Sequence, residues 1–134
     1  MAMQISNWLA AQILNAVLRG TTFTPPSKLY VALYKSDPTA ADTGQEVSGG
    51  GYARQAMTFT EAAVEAGKMT GKSATDVDFP IFTADAGLIT HIGLRTAATG
   101  GNLCWSQKLD NPKTFLANDK VKIYKDAVVV RFGQ

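Results

Sequence analysis

The sequence predicts a mainly β protein, an antiparallel β-sandwich preceded by one N-terminal amphipathic α-helix; a jelly roll is one form such a sandwich takes. Three observations predict it. Apolar residues recur at helical spacing only near the N-terminus, ahead of Gly20 and Pro25-Pro26. From Lys28 onward the apolar period is two. The strand-like runs are short, recur about every 8–15 residues, and are separated by turns rich in Gly, Pro, Asn and Asp.

The helix is expected over about residues 5–20. Ser6 is its N-cap, because a serine hydroxyl accepts from a free backbone N–H of the first turn. Ile5, Trp8, Leu9, Ile13, Ala16 and Val17 share one face, while Ala10, Leu14 and Leu18 lie elsewhere on the same cylinder. Gly20 stops it. A helix this apolar needs cover on more than one side; one side can be its own sheet and the other a neighbouring subunit.

Strands follow over residues 28–132. Lys28–Tyr34 is apolar on both faces and belongs inside a sheet. Residues 36–51 form a long loop opened by Asp37-Pro38 and closed by Ser48-Gly49-Gly50-Gly51. Tyr52–Thr60 is the next strand, with Ala53, Met57 and Phe59 inward. Residues 61–67 fit either a helical turn or a strand, and Met69-Thr70 a short strand. Ala74–Phe79 alternates, with Val77 and Phe79 inward and Asp76 and Asp78 outward. Leu88–Thr96 and Leu103–Leu109 form a hairpin through Ala97–Asn102. Lys120–Tyr124 and Ala127–Phe132 are expected to pair as a last hairpin. Residues 1–134 are expected to be a single domain, which the length of the chain favours.

Composition excludes several classes. The single cysteine, Cys104, rules out an internal disulfide framework, and the single histidine, His91, rules out a His-rich metal site. No apolar run reaches the roughly 18 residues that span a bilayer, and Met1–Ile5 lacks the charged start of a secretory signal. A net charge of +2 does not point to nucleic acid. That charge is unevenly spread. Residues 36–85 carry eight acids against three bases, and residues 86–134 seven bases against three acids. The pattern is either chance on solvated faces or complementary patches between subunits.

Chemistry-bearing patterns are sparse. His91 and Cys104 lie on strands joined by a hairpin and can form a Cys–His dyad, although no third group orients it; each is otherwise an ordinary strand residue. Asp76 and Asp78 point the same way, as paired carboxylates or as the wet side of an edge strand. Tyr30, Tyr34, Tyr52, Trp105 and Tyr124 are either core and interface or a sugar-stacking platform. No catalytic, metal or cofactor site is expected, and the chain is not expected to be an enzyme.

The segments Leu29–Thr39 and Thr43–Gln55, with Ile92-Gly93-Leu94 and Ala98–Leu103, resemble a family of small virion proteins of tailed bacteriophages. The Glu46–Arg54 string, EVSGGGYAR, is the most specific part, and the resemblance covers roughly residues 6–109. Members are described as head decoration or tail fibre proteins. The resemblance therefore implies a structural role in a virion that is assembled in the host cytoplasm. It brings no catalytic residues.

The main expectation is a capsid decoration or cement protein that ties shell subunits together. A tail fibre or tail-tip protein is the alternative, and a carbohydrate-binding module for host attachment is the alternative of another class. Expected partners are other virion proteins, the major capsid protein or tail proteins, and further copies of the chain, with a trimer as one form; neither nucleic acid nor membrane is expected. The expected interface comprises Trp8, Leu9, Ile13 and Val17 on the helix, with Glu46, Gly49, Gly50, Gly51, Tyr52 and Arg54 at the end of the loop. Glu46 and Arg54 flank the glycine run and can pair across it. The same loop can instead be a self-contained Ω-loop that closes one end of the sandwich.

Overall fold

The computed structural model describes residues 3–132. The elements, in chain order, are β1 (Gln4–Ile5), α1 (Asn7–Arg19), β2 (Leu29–Tyr34), β3 (Gln55–Met57), β4 (Ala63–Glu65), β5 (Lys68–Lys72), β6 (Val77–Asp78), β7 (Gly87–Arg95), β8 (Leu103–Phe115), β9 (Lys122–Ile123) and β10 (Val129–Arg131). All strand pairs are antiparallel. A five-stranded sheet has the order β1-β8-β7-β2-β3, a three-stranded sheet β10-β5-β4, and β6 pairs with β9. The protein is thus mainly β with one N-terminal helix, in a sandwich-like arrangement of unequal sheets. Sheets of five, three and two strands depart from the eight-stranded jelly roll.

Cross-strand partners share a face. Leu29 opposite Met57, Val31 opposite Leu94 and Leu33 opposite Ile92 line the core face of the large sheet. Phe79, Phe82, Val77 and Val128 close over that face from the smaller sheets and their loops. The other face of β2 carries Tyr30, Ala32 and Tyr34 opposite Arg95, Gly93 and His91. Both faces are covered, which explains the doubly apolar β2 sequence.

Ser6 caps α1 as its sequence predicts: its hydroxyl accepts from the Leu9 N–H at 3.1 Å. Gly20 ends the helix in the left-handed region at φ 70°. Ile5, expected within the helix, lies instead in β1 opposite Trp105, because the Ser6 cap forces extended backbone before it.

Other expectations need correction. The strand expected over Tyr52–Thr60 shrinks to β3, with Phe59 in an isolated bridge to Ser73 and Ala53 exposed. Residues 63–65 are a strand, in a hairpin with β5 through Ala66-Gly67, both at positive φ. The strand expected over Ala74–Phe79 is only β6. β8 runs on to Phe115 through Pro112, which lies in the bulge where residues 109–112 have no partner on β7, between the Lys108 and Lys113 pairs. The expected last hairpin does not form. β9 pairs with β6 and β10 with β5, because Val128 and its neighbours are drawn to the core beside Ser73 rather than to each other.

Candidate functional site

Residues 36–54 fold back on the large sheet as a braced loop. Lys35 N donates to Gln45 O and Val47 N to Leu33 O, which sets Glu46 opposite Tyr34 in an antiparallel bridge. Pro38 is fully buried. Gly44 passes so close to Pro38 that a Cβ on it would lie 2.6 Å from the proline Cα. Gly49, Gly50 and Gly51 follow one another at positive φ, a path that residues with a Cβ rarely take. Gly50 and Gly51 run against residues 81–84, where Thr83 N donates to Gly50 O, while Gly49 faces open space.

Two arginines brace this loop. Arg54 donates to both carboxylate oxygens of Glu46, at 2.8 and 2.7 Å, and to the carbonyls of Ala97 and Gly100. Tyr52 donates its hydroxyl proton to Glu46 and accepts from Leu33 N, while its ring stacks on Phe79. Arg95 grips Asp42 with two parallel bonds of 2.8 and 3.0 Å. It also donates to the Tyr34 hydroxyl and to the carbonyls of Gly100 and Gly101. The turn between β7 and β8 is therefore held by both guanidinium groups, which share the Gly100 carbonyl.

The ionisation of these groups follows from the geometry. Burial opposes the charge of Glu46, but the bonds from Arg54 and Tyr52 together outweigh it and hold its carboxyl below the ordinary value. Burial and the bond to Glu46 push Tyr52 up. Burial works against Arg95, yet Asp42 and Tyr34 keep it firmly protonated.

The charge asymmetry of the sequence finds partners within the chain. Asp42 pairs with Arg95, Glu65 with Arg131, Asp76 with Lys122 and Asp78 with Lys120, each joining the acid-rich middle to the basic last third. These exposed pairs contribute little stability individually, except the partly buried Arg95 pair.

The helix residues part company. Leu9 is buried in its own chain, so it is not available to a partner. Trp8 is half-buried with its ring edge-on to Phe23 at 6.0 Å. Ile13 lines an open apolar groove of about 720 Å³ between the core face of the large sheet, at Leu29, Leu94 and Trp105, and the three-stranded sheet, at Lys68, Thr70 and Val130. Val17 is 77% exposed. Glu46, Tyr52 and Arg54 turn toward their own chain as described, Gly50 and Gly51 border residues 81–84, and Gly49 is open.

Three arrangements considered from the sequence do not assemble. His91 is opposite Lys108, whereas Cys104 follows Leu103, the partner of Arg95, so the two are well apart along the hairpin. Burial pushes the Cys104 thiol up to about 11. Asp76 and Asp78 face lysines, and among the described residues no group of three or more acidic, Cys or His side chains surrounds a metal position. The aromatic set is dispersed: Tyr34 is buried, Trp105 lies in the groove, and Tyr124 is exposed. Arg95, Asp42 and the role of Tyr34 escaped sequence reasoning. The one signal was an arginine ending an otherwise apolar strand just before a glycine turn.

No helix among the described residues is long and apolar enough to cross a membrane. Compared with known families, residues 4–131 match the family model described as podophage GP4 fiber I protein gp80. No curated protein matches the chain.

Proposed function

The chain belongs to the podophage GP4 fibre I protein family, and from that premise we propose that it is a structural component of a phage tail fibre. The observation that carries this reading is the family match, which spans almost the whole described chain. The expectation of a capsid decoration or cement protein gives way to it, because the family is named for a fibre and nothing supports a place on the shell.

The braced loop suits a mechanical part. Two guanidinium groups tie residues 42 and 46 and the β7–β8 turn into one block, so this end of the subunit is stiff without metal or disulfide. Its partners are other virion components, and its place is the assembled virion. The role assigns no reaction to any residue.

Immunogold labelling of intact virions with antibody raised against the purified chain tests the proposal. Gold on tail-associated projections is expected. Gold distributed over the capsid faces, or no gold on the particle, overturns it.

A further inference from the structure

We propose that the pocket where the start of α1 meets the braced loop binds one neutral saccharide unit. The site is read from this chain's own geometry and goes beyond a structural role in a fibre.

Three segments meet there. Asn7 and Trp8 open α1, Ala40, Ala41 and Asp42 belong to the loop, and Asn102 follows the β7–β8 turn; together they line a pocket of about 350 Å³. That volume is at the small end of the roughly 300–1,000 Å³ of small-molecule sites. The walls are fixed before a ligand arrives. Asn7 N donates to Ala40 O and Ser6 N to Cys104 O, both at 2.8 Å. Asn102 N donates to Thr96 Oγ1 and Thr96 N to Asn102 O, both at 3.0 Å. Arg95 grips Asp42 and also the carbonyls of Gly100 and Gly101, just before Asn102. The brace therefore stiffens this pocket, and a preorganised site loses less entropy on binding.

The lining selects the ligand class. Trp8 is only half-buried, and an indole offers a flat apolar face with an N–H at its edge. The side-chain amides of Asn7 and Asn102 are exposed and make no hydrogen bond among the described residues; each can both donate and accept. Asp42 gives one bond per carboxylate oxygen to Arg95, which leaves lone pairs for further donors. A sugar ring matches this set, with apolar C–H groups for the indole and hydroxyls that donate to Asp42 and exchange bonds with the amides. Charged ligands do not match it. No cation lines the pocket to hold an anion, and Arg95 already balances Asp42, so no unmatched negative charge draws a cation. Trp105 and the tyrosines take no part.

An amide-resolved NMR titration of the isotope-labelled full chain tests this. The probes are the methyl glycosides of glucose, galactose, mannose and N-acetylglucosamine, with glucuronic acid, choline and glycerol as controls. At least one neutral glycoside is expected to shift, saturably, the backbone amides of Asn7, Trp8, Ala41 and Asn102 and the Trp8 indole N–H. The controls are expected to leave these signals in place. Asn102→Ala is expected to weaken the binding ~tenfold, the equivalent of one lost hydrogen bond. The Asn102 side chain makes no bond within the described chain, so the rest of that variant's spectrum should stay native. No saturable shift from any of the glycosides overturns the proposal. So do equal shifts from glucuronic acid, choline or glycerol, or an Asn102→Ala chain that binds as tightly as the native one.

Discussion

Replacing Arg95 with alanine removes the central brace of the loop, and the cost can be worked from its partners. The guanidinium makes two bonds to the Asp42 carboxylate, one to the Tyr34 hydroxyl and two to turn carbonyls. A hydrogen bond to a charged group contributes about 1.5–3 kcal/mol, and a buried hydroxyl left without a partner costs about 1–3 kcal/mol. Tyr34 is 1% exposed and suffers that loss in full. Asp42 is 35% exposed, so water replaces part of what Arg95 supplied. The sum is about 3–4 kcal/mol, within the range of about 3–5 kcal/mol for breaking a buried pair from one side. For a chain of this size that lowers Tm by about 10–15 °C. Urea unfolding followed by tryptophan fluorescence reads the change as a shifted midpoint at constant slope. Tyr34→Phe should cost less in the Arg95→Ala background than in the native one, because the orphaned hydroxyl is then gone. An Arg95→Ala variant within about 1 kcal/mol of native, or a Tyr34→Phe cost equal in both backgrounds, would refute the brace.

Glu46 carries a pH prediction. Its folded carboxyl titrates below its ordinary value of 4.5, so its contribution to stability is present above that pH and is lost as pH falls through the lower folded value. Glu46→Gln should therefore flatten the acid limb of a stability-against-pH curve, and an unchanged limb would count against the geometry. Cys104, raised to about 11 by burial, should resist alkylation in the native protein at pH 8 and react once unfolded in urea, as mass spectrometry would show. Gly44→Ala drives a methyl group into the Pro38 backbone and should cost about 1–3 kcal/mol in the same urea assay.

How far the sequence revealed the structure depends on the range of the interaction. The Ser6 cap, the Gly20 stop, β2 and the β7–β8 hairpin carry local signals, so they were legible. The Glu46–Arg54 pair was legible too, because the glycine run between them forces the chain to turn back. The pairing of β9 with β6 and of β10 with β5 was not. β6, β9 and β10 have only two or three residues, and what decides their partners is burial of Val77 and Val128 in one core, a contact between distant segments. Pro112 hid the length of β8, since it is tolerated by a bulge against β7 that no local pattern announces. Arg95 was hidden for a similar reason. Its partner Asp42 is remote in sequence, and nothing in the loop pattern announced the grip.

Quantitative densitometry of purified virions, before and after heads are separated from tails, tests the fibre assignment most directly. The account predicts a small, fixed number of copies per particle, all retained with the tails. Hundreds of copies retained with the heads would contradict it and return the chain to the capsid shell.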